Sequence, residues 1–293
     1  MLKSSICILV GTLAALLGSP AQAADWSDAW IGYQFQSNMH EPGVTSGIQK
    51  NIVELGYVSA DKLGTNLAIV DNYFSNSCYP AAPSNPPFAP GEACHGSGSL
   101  SVYAVLRRSF SLSALSGASL AFGPVRDVSV TGGVVYGAEN TVGAMRPLKF
   151  TLGPTFNFNV TGGFLDVGVW LYKEYNHNGY IAEPAPSSVS FRATYDLNVA
   201  WSLPLGKYLS FTGYGDVIGP KGPELFSSFT GKDAKTEFHI FPKLMLDAGA
   251  LLFKKKDFVK VGIGIEIWRN KYGATASTGA NSAAPTVIAE IHL

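Results

Sequence analysis

The sequence predicts an all-β protein: an antiparallel transmembrane β-barrel of about 12 strands, preceded by an N-terminal signal peptide. Three observations carry that prediction. Segments along the whole chain alternate apolar with small or polar residues at a strict period of two, the mark of strands with one greasy face. Charged residues make up only 14% of the chain, against roughly 25% in ordinary soluble domains. An export signal stands at the start.

That signal is read first, because it leaves before folding. Lys3 supplies a positive start, residues 6–17 a short apolar core, and Ala21-Gln22-Ala23 a small-residue cleavage site. A membrane anchor would need about 20 apolar residues, and this run is shorter. Residues 1–23 are therefore expected to be removed, leaving 24–293 as a single barrel domain.

The candidate strands then follow in order. Over residues 29–36, Ile31, Tyr33 and Phe35 alternate with Gly32, Gln34 and Gln36. Residues 51–59 and 64–73 come next, joined by a short turn at Asp61 and Lys62. Alternation is poorest here, and it leaves the facing of Glu54 and Asp71 open. In the fourth strand Leu100, Val102, Ala104 and Leu106 oppose Ser101, Tyr103 and Arg107. A longer connection, 109–124, leads to the fifth, where Val128, Val130 and Val134 oppose Ser129 and Thr131. The sixth sets Leu148, Phe150 and Leu152 against Lys149 and Thr151, and turns at Thr161-Gly162-Gly163. The seventh sets Leu165, Val167, Val169 and Leu171 against Asp166, Gly168, Trp170 and Tyr172.

The eighth alternates without a break from Val189 to Trp201, with Arg192, Asp196 and Asn198 on the polar face. In the ninth Leu209 and Phe211 oppose Tyr208, Tyr214 and Asp216; in the tenth Phe238, Ile240 and Leu244 oppose His239, Lys243 and Asp247. Val259, Val261, Ile263 and Ile265 face away from Lys260, Glu266 and Trp268 in the eleventh. The last strand, 286–293, ends on apolar Leu293, where an aromatic residue is usual in such barrels. An even number of strands puts both termini on the periplasmic side, with the longer loops outside and the 109–124 connection as the exception.

Composition narrows the compartment and the partners. An exported chain with few charges, 12% aromatic residues and no spanning helix fits the bacterial outer membrane, with lipid against its wall. A secreted β-sandwich would carry a more charged outer face. The 21 basic and 21 acidic residues cancel, so no single-sign field points to nucleic acid. Cys78 and Cys94 flank a Pro-rich loop, and in an oxidising compartment such a pair is most simply a disulfide. The alternative, a two-cysteine metal site, has only His95 nearby as a further ligand. Metal-ligand spacing and phosphate-cradling glycine loops are absent, so no cofactor and no metal is implied.

Several stretches carry a resemblance. Lys50-Asn51-Ile52-Val53, Gly64-Thr65-Asn66 and Val70-Asp71 resemble the opening of the Tsx-like nucleoside-channel family of outer-membrane proteins. The run from Leu120 through Phe122-Gly123-Pro124-Val125-Arg126-Asp127 to Val128 is similar to that family's FGPVKDV-type turn. Phe238-His239-Ile240-Phe241-Pro242-Lys243-Leu244 and Trp268-Arg269-Asn270-Lys271-Tyr272-Gly273 resemble its late strands. The resemblance implies a narrow, monomeric barrel that passes nucleosides without an energy source, through weak sites along a flattened channel. Diverged relatives carry other small solutes, or serve as phage and colicin receptors through their outer loops.

A nucleoside path needs aromatic faces for the base and polar groups for the ribose hydroxyls. Inward parity supplies Trp170, Tyr172, Tyr208, Tyr214 and Trp268 for stacking. It supplies Arg107, Lys149, Arg192, Asp196, Asp216, His239, Lys243 and Glu266 as polar lining, with signs mixed as suits a neutral solute. The plainer alternative is that inward charges pair with one another and fill the lumen, inward Tyr and Trp forming interface girdles. Two rivals stand beside the nucleoside channel: a general small-solute pore, and a non-conducting receptor or adhesion barrel. An outer-membrane lipid-modifying enzyme would need a Ser–His pair, and none of the five histidines has a nucleophile motif beside it. The sequence therefore predicts no catalytic residue.

Overall fold

The computed structural model describes residues 24–44, 46–79, 98–141, 143–179, 187–225, 227–275 and 278–293. The predicted signal peptide and Cys94 lie outside them. The first seven strands are β1 (Trp26–Met39), β2 (Ile48–Asp61), β3 (Gly64–Ser75), β4 (Leu100–Ser111), β5 (Val125–Glu139), β6 (Leu148–Phe158) and β7 (Phe164–His177). A short β8 (Ser188–Ser190) precedes β9 (Thr194–Pro204), β10 (Leu209–Ile218), β11 (Glu237–Asp247), β12 (Val259–Arg269) and β13 (Ser282–His292). All pairings are antiparallel between sequence neighbours, β8 aside, and β1 pairs with β13 to close a twelve-stranded barrel.

Alternation decides which side chain goes where. Leu152, Leu171, Ile263 and Val287 project outward and are about as exposed as surface residues of a soluble protein, at 58–62%. Gln34, Gln36, Thr131, Thr155, Asp196 and Thr286 point inward and are buried. Glu54 and Asp71, whose facing the pattern left open, are cross-strand neighbours, and Glu54 is buried beneath Trp30 and Gln34. A polar interior within an apolar wall suits a bilayer, and a closed barrel leaves no strand edge unpaired in lipid. No helix among the described residues is long and apolar enough to cross a membrane; this chain crosses with strands. It is a bacterial outer-membrane barrel.

Prolines interrupt the ladder without shifting it. Pairing of β6 with β7 lapses between Leu152 and Thr155, around Pro154, and that of β11 with β12 lapses between Ile240 and Lys243, around Pro242. Proline has no N–H to give, and each ladder resumes in the same register. The connection after β4 folds into a short helix, Leu112–Ser116, where a loop was expected; the Ser111 hydroxyl caps its start.

The expected unbroken eighth strand is a correction: it divides into β8 and β9. Phe191 is drawn inward against Leu225, with Met145 and Val189 packed on it, and its N–H bonds to the Glu174 carbonyl at 3.0 Å. Phe191 keeps that bond to β7 and the Arg192 N–H turns to the Lys221 carbonyl at 2.8 Å, so the ring is buried at little cost in hydrogen bonds.

One tight place yields a prediction. Gly64 opens β3 at φ +149°, and a Cβ there would lie 1.9 Å from the Ser109 carbonyl oxygen. Gly64→Ala is expected to destabilise the barrel by about 1–3 kcal/mol, read as a lower urea midpoint. An unchanged midpoint would mean that the β2–β3 turn yields freely.

Candidate functional site: the barrel lumen

The lumen has one aromatic wall. His239 of β11 and Trp268 of β12 are register partners and stack with centroids 3.8 Å apart and planes 11° from parallel. Tyr214 of β10 meets His239 edge-on at 5.4 Å and Phe241 at 6.0 Å, while Tyr272, in the outer loop after β12, tilts over Trp268 at 6.3 Å. Five rings thus run without a gap from the outer mouth toward the middle of the barrel. Carboxylates fix them in place. Glu266 accepts from the Trp268 indole at 3.0 Å and from Gln36 at 2.5 Å, and lies 2.9 Å from His239 Nε2. Asp216 stands 3.8 Å from the other His239 nitrogen and accepts from Asn198 at 2.7 Å.

Facing this wall is a charged one. The Arg107 side chain of β4 runs along the inner wall over Gly133 of β5, its guanidinium 4.8 Å from the Trp170 ring of β7, and its charge acts on Asp196 and Asp216. Trp170 lies flat along the wall over Gly168, where a Cβ would come within 2.4 Å of the indole. Lys149 donates to the Tyr103 hydroxyl at 3.0 Å. Lys221, from the loop after β10, pairs with Glu174 and stands 3.6 Å from Glu237. Trp170, Tyr172 and Glu174 are only 2–3% exposed, so side chains fill the lumen beside β7. Tyr73, Tyr103, Arg107, Tyr214, Lys243 and Trp268 keep partial exposure and border the remaining space.

A clasp ties neighbouring elements together at the outer rim. Glu41, in the β1–β2 loop, accepts from Lys50 and from Lys271, each at 2.8 Å, and all three are buried. Burial alone would raise the Glu41 carboxyl, but the ammonium groups of Lys271 and Lys50 more than reverse this and hold it at about 2. One carboxylate shared by two cations leaves Lys271 under-served, and burial pushes its pKa down. Met39, Val44, Ile48, Cys78 and Ala284 pack beneath the clasp, with Tyr79 and Trp268 against them.

Of the residues expected from sequence, His239, Tyr214, Asp216, Lys243, Glu266 and Trp268 gather on the aromatic wall. Arg107, Lys149, Tyr172 and Asp196 gather on the charged one. Two do not join them. Arg192 falls in the break between β8 and β9, exposed at the outer rim against Gly222, because Phe191 takes the chain out of strand geometry. Tyr208 sits in the turn before β10 at the opposite, periplasmic rim, beneath Lys207. Cys78 is buried under the clasp; its expected partner lies outside the described residues.

Sequence reasoning missed Glu174, Tyr73, Trp30 and the three clasp residues. Glu174 was legible as the next inward position after Tyr172. Glu41, Lys221 and Lys271 lie in loops, where no period marks facing.

No family model matches the chain, and no curated protein matches it in sequence. Solved structures do. The translocator domain of the autotransporter NalP from Neisseria meningitidis is 12% identical, with 99% of this chain and 96% of that one covered and a TM-score of 0.44. The NanC porin is 7% identical over 90% of this chain and 100% of that one, with a TM-score of 0.48. For the KdgM porin the figures are 10%, 89%, 98% and 0.41. Likenesses this distant carry no inference about substrate.

Proposed function

We propose that the protein is a passive outer-membrane channel for nucleosides or similar small neutral polar solutes. The observation that supports this reading most is the aromatic wall from Tyr272 to Phe241. Tyr73, Tyr103, Arg107 and Lys243 keep partial exposure on the same lumen. A planar base stacks on the rings at about 1–3 kcal/mol per base, and these polar side chains offer partners to the ribose hydroxyls. Interactions of that size also let the solute leave. The Tsx-like motifs agree with this reading, and with a monomer whose outer loops are open to phage or colicin.

One observation favours a second reading, a non-conducting receptor barrel: side chains fill the lumen beside β7.

Flux into liposomes separates the readings. Nucleosides should outpace neutral sugars of similar size, and Trp268→Ala or Tyr214→Ala should lower nucleoside flux about tenfold, as loss of one stacking partner predicts. Equal flux for all solutes would leave a general small-solute pore. No flux for any would leave the receptor.

A further inference from the structure

The periplasmic rim carries a patch that solute passage does not use. The β11–β12 connection lies at the end of the barrel where β1 begins and β13 ends, the periplasmic end. It presents Leu251, Leu252 and Phe253 at 51–68% exposure, followed at once by exposed Lys254, Lys255 and Lys256. The turn is held in this shape. Asp247 accepts from the Ala250 and Asp257 N–H groups at 2.8 and 2.9 Å, and Lys254 and Asp257 sit at φ +56° and +58°. Beside it, the β9–β10 turn repeats the pattern with exposed Leu205 and Lys207, and a 2.8 Å bond from Asp247 N–H to the Tyr208 carbonyl joins the two turns.

Charge here is only partly balanced within the protein: Asp28 and Asp257 line the same hollow as Lys255, Lys256 and Lys260. Asp257 is the one carboxylate paired to the three lysines among the described residues, at 3.7 Å from Lys256, and it also takes Lys260 at 3.3 Å. Lys255 rests on the Phe258 ring, 3.7 Å from its centroid. The apolar part of the patch continues the lipid-facing belt through Leu209 and Leu244, both exposed.

We infer that these two turns bind the headgroup of an anionic phospholipid in the periplasmic leaflet of the outer membrane. Leu251, Leu252 and Phe253 enter the acyl boundary, and the lysines reach back along it to the phosphate and its negative charge. The inference depends on the barrel's orientation and on no particular solute.

The refolded barrel, in mixed micelles of phosphatidylglycerol and phosphatidylcholine, would be examined by native mass spectrometry for the lipid it retains. The wild type should retain phosphatidylglycerol over phosphatidylcholine by about tenfold or more, as several lysines near an anionic surface predict. The variant K254Q/K255Q/K256Q should lose that preference while keeping its β-sheet circular dichroism. Should that variant not refold, K207E/K256E leaves the αL position at Lys254 intact and should likewise abolish the preference. Equal retention of both lipids by the wild type would overturn the inference, as would a preference that survives in the folded variant. An acidic peptide that displaces phosphatidylglycerol from the barrel in the same mixed micelles would overturn it in favour of a protein partner.

Discussion

Replacing Glu41 by Gln is expected to cost about 3–5 kcal/mol, because it strands two buried ammonium groups without the one carboxylate that both contact. The loss should appear as a lower urea midpoint and as faster proteolysis of the β1–β2 loop. It should also change the response to acid. The Glu41 carboxyl ionises at about 2 in the folded protein, against an ordinary value of 4.5. A depressed carboxylate contributes stability that is complete above the ordinary value and is lost as pH falls through the folded one. The wild type should therefore loosen at its outer mouth between about pH 4.5 and 2, and Glu41→Gln should be flat across that window. A variant with wild-type stability and the same acid profile would mean that the clasp is ornamental.

The second large effect is expected at Arg107. Its side chain lies on the lumen wall against Trp170 and supplies positive charge to Asp196 and Asp216. Arg107→Ala removes both side-chain volume from the lumen and that charge. Single-channel conductance in a planar bilayer should rise severalfold, and the reversal potential in a salt gradient should move toward cation selectivity as the two aspartates lose their counter-charge. Arg107→Lys should keep the selectivity and recover part of the block. Should conductance and reversal potential both stay at wild-type values, ions pass by another route and the charged wall is structural filling.

How much of this was legible before folding depends on the element. Strands such as β6, β12 and β13 declare their facing by strict alternation, so Lys149, Glu266 and Trp268 could be placed inside from the sequence. The same rule misled at Arg192. Alternation continues through Phe191, but a buried packing partner, Leu225, lies in a loop that no pattern assigns. Glu54 and Asp71 were illegible for a different reason. Apolar residues fall on both faces of β2: Ile52 is buried on the inward side with Glu54, while Leu55 is exposed on the other. The clasp could not be read at all. Glu41, Lys50 and Lys271 come from two loops and a strand end, and only closure of the barrel brings the two ends of the chain side by side. Loop residues obey contacts rather than periods, and those contacts are long-range.

That closure also has a consequence for how the molecule is made. The seam runs from Trp30 opposite His292 to Gln36 opposite Thr286, residues 250 apart in sequence. Every other seam between full-length strands joins neighbours along the chain and can zip as a hairpin. This one must wait for the most distant partners to meet, so a nearly complete sheet with two bare edges precedes the finished ring. Those edges are templates for pairing with another copy until the last strand seals them, which makes the final stitch the step where assembly is most open to error and most in need of escort.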